Sequence, residues 1–311
     1  MTSEATRLLS AQTGAQQTMS AWAKVIDARE AVPAAYRPAY DEAVGNEPDL
    51  PFTVWAPALP GLRRPTTEKL LCAVRDTVYV WEKLGGQVTT TAYPFDAISD
   101  LETGNILLFS WITLGGVTTA GTSAATTIEF NTATSRHFAW LVNRLRPAPR
   151  PLDEPARQRE GARLDFLAAD SFKFMSFGRA SLGPGAHLHS LVWQPPRWQP
   201  ALQIGGWTLT RSLSLGRLVL LTDQELIVIE DDERSRTDKG VRYGGKWRYL
   251  ALDHIGGAEL SEPAAGQLVL SLSLVPGGRR CELRFPAAHQ AELAELLGRL
   301  AARPSVSPPA G

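Results

Sequence analysis

Two short apolar runs, Lys69 to Val74 and Thr77 to Glu82, flank Arg75-Asp76, and the arrangement returns at Arg217 to Thr222 and Glu225 to Glu230 around Asp223-Gln224. Runs of this length separated by polar turn residues read as a strand, a tight turn and a second strand. The segments after each pair repeat too. Tyr93-Pro-Phe-Asp-Ala-Ile98 aligns with Leu250-Ala-Leu-Asp-His-Ile255, which sets Glu102 opposite Glu259. Leu107, Phe109 and Trp111 alternate with other residues, as Leu268, Leu270 and Leu272 do. A two-residue period marks a strand with one buried face. A last strand ends on Phe130 in one copy and on Phe285 in the other. Phe138, Leu141, Val142 and Leu145 are then spaced i, i+3, i+4, i+7, and Leu293, Leu296, Leu297 and Leu300 repeat the spacing, giving each copy a helix with one apolar stripe. The copies open on Val54-Trp-Ala-Pro57 and Val192-Trp-Gln-Pro195. The expected class is mainly β (α+β): seven antiparallel strands and a closing helix, twice.

This pattern divides the chain into an N-terminal extension (1–45), a first domain (46–147), a proline-rich connector (148–180), a second domain (181–303) and a flexible tail (304–311). In the extension, the spacing predicts a short helix from Met19 to Arg29 with Trp22, Val25 and Ile26 on one side, and Pro33 and Pro38 break the helical reading after it. Residues before about 18 have no periodic apolar face and are expected to be disordered. Arg157 to Ala168 reads as a short helix within the connector.

A length of 311 residues suits two ordinary domains. Lysine plus arginine equals aspartate plus glutamate at 32 each, which argues against a protein whose main task is gripping nucleic acid. Cys72 and Cys281 sit in apolar runs at unmatched places in the two copies, so both are expected to be buried hydrophobes rather than metal or redox groups. With no paired Cys/His spacing and no secretion signal at the N-terminus, a cytoplasmic protein is expected. The most apolar run, Ile106 to Ile112, is far too short to span a bilayer.

On its paired strands, its Phe95-Asp-Ala-Ile98 and Leu252-Asp-His-Ile255 segments, its closing helices and the Leu182-Gly-Pro-Gly-Ala-His-Leu188 turn, the chain resembles a tandem of bacterial pleckstrin-homology-like domains of the PH/GRAM type. The resemblance implies that each domain is a bent seven-stranded antiparallel sheet or partial barrel, with the C-terminal helix over one open end.

Candidate chemistry is sparse. The loop from Arg234 to Arg248 carries Arg234, Arg236, Lys239, Arg242, Lys246 and Arg248 against Asp238, with Tyr243 and Trp247 interleaved, and Gly240, Gly244 and Gly245 let it turn sharply. Such a loop could hold a phosphate-bearing head group or an acidic peptide; its alternative role is a solvated hairpin that protects a sheet edge. Gly116-x4-Gly121-Thr-Ser has threonine where a phosphate-binding loop needs lysine and reads as a hairpin tip. His187 and His189 have metal-chelating spacing without a third ligand nearby. Asp96 and Asp253 suit turn roles. There is no Gly-x-Ser-x-Gly elbow. The expected function is therefore a non-catalytic scaffold or adaptor, without cofactor or metal, that binds a protein or peptide partner. Self-association is a further expected mode. The alternatives are peripheral attachment to anionic membrane lipid through Arg234, Arg236, Lys239, Arg242, Lys246, Trp247 and Arg248, and an unrecognised enzyme.

Overall fold

The computed structural model of the chain describes residues 19, 21–59, 66–148, 154–204, 207–235, 243–264 and 266–302. Two compact units account for them: residues up to Ile98 with Leu107–Val142, and Ser99–Ile106 with the residues from Asn143 onward. Antiparallel strands dominate both.

In the first unit β1 (Lys24–Val25), β2 (Phe52–Ala56), β3 (Lys69–Val74), β4 (Thr77–Leu84) and β5 (Gln87–Pro94) pair in sequence order. The whole of β3 is buried. Its Leu70, Cys72 and Val74 pack with Ile26, Val32, Tyr36, Tyr40 and Val44 of the N-terminal segment, and Leu71 and Ala73 alternate to the opposite face. Helix α1 (Arg37–Val44) supplies part of this cover, and the Tyr36 hydroxyl donates to the Glu68 carbonyl at 2.9 Å. The helix expected at Met19–Arg29 is not formed. A two-residue strand and a 3-10 turn (Arg29–Ala31) stand there, with Ala23 and Ile26 buried but Trp22 and Val25 exposed. A helix instead begins beside Pro38, one of the two prolines expected to break one, since Pro38 occupies its first turn, where no N–H partner is required.

Strand β6 (Ile98–Ile106) gives Ser99–Ile106 to the second unit. The first unit resumes with the hairpin of β7 (Phe109–Val117) and β8 (Ser123–Asn131). The Gly-rich segment forms its tip, where the Thr118 and Thr122 hydroxyls bond at 2.8 Å. A 3-10 turn (Thr132–Phe138) leads into α2 (Ala139–Leu145), with Phe138 and Leu141 buried.

The second unit begins with α3 (Glu154–Ala162) and α4 (Leu167–Ser181), the latter kinked at Ser171, so most of the expected proline-rich connector is helical. Its main sheet has the order β6-β14-β13-β12-β9, where β9 is Leu188–Gln194, β12 Arg217–Thr222, β13 Glu225–Glu230 and β14 Gly245–Ala251. A separate hairpin, β10 (Arg197–Ile204) with β11 (Trp207–Ser214), is inserted after β9. β15 (Ile255–Ala264), β16 (Gln267–Leu274) and β17 (Arg279–Pro286) form a three-stranded sheet, and α5 (Gln290–Ala301) comes last.

Both faces of the β12–β13 pair are covered, which is why Leu218-Val-Leu-Leu221 and Leu226-Ile-Val-Ile229 are apolar throughout rather than alternating. Leu218, Leu220, Ile227 and Ile229 pack with Leu167, Phe174 and Met175 of α4. Val219, Leu221, Leu226 and Val228 join a core with Leu268, Leu270, Leu272 and Phe285. Leu293, Leu296 and Leu300 of α5 are buried in that core, and each contributes ~2 kcal/mol by leaving water.

Candidate functional site

The charge in the candidate site centres on two neighbouring rows of the main sheet. Arg217, Glu230, Lys246 and Gly104 lie side by side across β12, β13, β14 and β6. Glu230 is 7% exposed and accepts from Arg217 at 2.5 Å, while Lys246 Nζ lies 3.1 Å from its other oxygen. Two residues along, Val219, Val228, Arg248 and Glu102 form the next row, so the face changes from apolar core to ion pairs within one repeat of the pleat.

Arg248 is the hub. Its Nη2 donates to Glu102 Oε2 at 3.0 Å, its Nε lies 3.2 Å from Asp100 Oδ1, and its Nη1 lies 3.0 Å from Cys281 Sγ. Arg279 reaches the other oxygen of Asp100 at 3.5 Å. Burial works against the Arg248 charge, but the Asp100 and Glu102 carboxylates outweigh it and hold the guanidinium ionised. Burial opposes ionisation of Glu230 as well, yet Arg217 and Lys246 keep its carboxyl below the usual range. The Cys281 thiol is pushed up, chiefly by burial, and is therefore protonated and a poor nucleophile.

A polar cavity of about 560 Å³ opens beside this row, lined in part by Arg217, Glu230, Asp232, Arg234, Lys246 and Arg248. Arg234 forks onto Asp232 with two bonds of 2.9 Å, and Lys173 of α4 reaches Asp231 at 2.7 Å. Each cation on the cavity wall thus already faces a carboxylate, and an incoming anion would have to displace one. Among the described residues no group of three or more His, Cys, Asp or Glu could hold a metal ion.

The basic stretch expected to form a loop from Arg234 to Arg248 is only partly a loop. Lys246, Trp247 and Arg248 belong to β14, because Gly244 takes a positive φ of 72° and turns the chain into the strand. A Cβ at Gly244 would collide with the Asn105 carbonyl, so glycine is needed for β14 to lie against β6. Trp247 packs over Phe177 with ring centres 4.7 Å apart and is no free aromatic anchor. Arg236, Lys239 and Arg242 lie outside the described residues. Tyr243 is exposed.

His187 and His189 are both exposed, and His187 Nδ1 lies 3.4 Å from Glu160. Asp96 and Asp253 sit in matching 3-10 turns, Phe95–Ala97 and Leu252–His254. Cys72 and Cys281 are buried and unbridged.

Sequence reasoning missed Asp100, Arg217, Glu230 and Asp232 as members of the cluster. The available signal was the charge closing each apolar run, Arg217 before Leu218 and Glu230 after Ile229. No protein-family model matches the chain, and no curated protein matches it.

Proposed function

We propose that the chain is a non-catalytic interaction module of two pleckstrin-homology-like repeats, and that it binds an extended protein segment along the open edge of β5. The PH-like reading is supported by the element order: four strands, a 3-10 turn, three strands and a helix in the first repeat, and the same order around the inserted β10–β11 hairpin in the second. The binding reading is carried by one observation. Among the described residues β5 ends its sheet, with Gln87, Thr89 and Thr90 exposed, whereas β14, its counterpart in the second repeat, is paired on both sides. An open edge of β-branched, uncharged residues can accept a further strand through main-chain hydrogen bonds.

The ion-paired state of Arg234, Lys246 and Arg248 gives the anionic-membrane alternative less support than the edge. The Ala92 carbonyl accepts from the Thr119 N–H at 2.8 Å, outside the β4 pairing, so the main-chain groups of Ala92 point away from β4. Alternation points those of Thr90 and Val88 the same way. Thr90→Pro therefore removes an outward donor and leaves the bonds to β4 in place. Extended peptides selected against the folded chain are expected to bind and to lose affinity with Thr90→Pro; unchanged binding would sink the edge reading.

A further inference from the structure

The pairing that fills the edge of β14 has a counterpart left open elsewhere in the chain. β6 runs antiparallel to β14 in the register Leu101↔Tyr249, Glu102↔Arg248, Thr103↔Trp247, Gly104↔Lys246 and Asn105↔Gly245. The alignment of Ile98 with Ile255 and of Tyr93 with Leu250 makes β15 the counterpart of β6, and β5 the counterpart of β14. Among the described residues, β15 ends one sheet and β5 ends another.

We infer that β15 of one copy of this chain pairs antiparallel with β5 of a second copy, joining chains head to tail. The repeat fixes the register as Glu259↔Thr91, Leu260↔Thr90, Ser261↔Thr89 and Glu262↔Val88. This rests on the proposal that the β5 edge binds an extended segment, and it names the occupant of that edge.

Three observations favour a second copy over an unrelated segment. The first is continuity with an interface the chain already makes, since the same two strand positions pair in the second unit. The second is exposure: Gly257, Glu259, Ser261 and Glu262 are exposed, while Asp100 and Gly104 in β6, the counterparts of Gly257 and Ser261, are buried. The third is electrostatic. Val88, Thr89, Thr90 and Thr91 carry no charge, so Glu259 and Glu262 would meet no like charge across the ladder. Pro263 stands at the position of Ile106, one residue beyond the last paired residue of β6, where it ends the ladder without interrupting it.

Thr91 replaces Arg248, so the new contact lacks the ion pair that Glu102 enjoys and is expected to be reversible. The two edges differ, so every open assembly retains one free β15 edge and one free β5 edge, and growth continues until a ring closes.

Directly opposed positions test the register. A chain with Thr91→Cys is mixed with a chain with Glu259→Cys under mild oxidation; the native Cys72 and Cys281 are buried and do not compete. The expected result is a mixed disulfide dimer that fails to form when Thr89→Cys replaces Thr91→Cys, two residues out of register. The unmodified protein should also gain mass with concentration in sedimentation. Equal cross-linking of both pairs, or a monomer at every concentration with no cross-link, overturns the inference. A monomer whose β5 still binds extended peptides, with its Val88 and Thr90 amides protected from exchange, removes self-pairing alone; a monomer that binds none removes the edge reading as well.

Discussion

Strands β5 and β14 align with each other in sequence, yet among the described residues one ends a sheet and the other lies inside one. Their side chains account for the difference. β14 carries Lys246 and Arg248 where β5 carries Thr89 and Thr91, and those two cations meet Glu102 and Glu230. On β5 the same positions hold short, neutral, β-branched residues that suit a strand and specify no neighbour. Two strands built on the same pattern thus differ in whether the partner is written into the side chains.

The sharpest way to break this contrast is Arg248→Met. It strands Asp100 and Glu102 with less counter-charge in a largely buried site, and should lower unfolding stability by ~3 kcal/mol in urea titrations. Adding Glu102→Gln should restore part of that loss; strict additivity of the two changes would deny that the pair is coupled.

Gly244→Ala attacks the backbone rather than the charge. The positive φ and the closeness of Asn105 predict a loss of ~1–3 kcal/mol, with faster amide exchange concentrated in β6.

Acid weakens the same row. Glu230 and Asp232 have folded pKa values below their ordinary 4.5 and 3.8, so unfolding takes up protons that the folded state refuses. Their stabilisation is full above those ordinary values and is lost as pH falls through the lower folded ones. Thermal melts between pH 6 and pH 3 should fall most steeply at the acid end, below the ordinary carboxylate values. A flat profile would remove the row from the account of stability.

The smallest effect belongs to β5. Thr89→Lys copies the charge of Lys246 onto the exposed edge and should change stability by less than about 0.5 kcal/mol, as judged by the denaturation midpoint.

Much of this fold is legible in the order of residues alone. The paired runs at Lys69–Glu82 and Arg217–Glu230, the 3-10 turns at Asp96 and Asp253 and the stripe of α5 each come from local period and turn chemistry. Local period failed where tertiary cover decided the outcome. α4 carries Phe166 before it and Phe172 within it as exposed residues, so its apolar face is blurred, and a kink at Ser171 interrupts the count. The β10–β11 hairpin contains Pro200 beside a register shift, which in sequence resembles a connector rather than a strand. The charge cluster was legible only as single residues at the ends of runs. Asp100 and Arg279 are distant in sequence from Arg248, and no spacing rule joins them.

The pairing of β6 with β14 also has a consequence in time. Glu102 and Arg248 are separated by 146 residues, so a ribosome delivers one strand well before the other. At typical synthesis rates the wait is on the order of 10 s, far longer than a hairpin needs to form. Throughout that interval β6 is finished but β14 does not yet exist. The nascent chain therefore carries an unfilled strand position beside β6 until β14 is made, and a pause or premature stop in that interval releases a polypeptide in which Glu102 has never met Arg248.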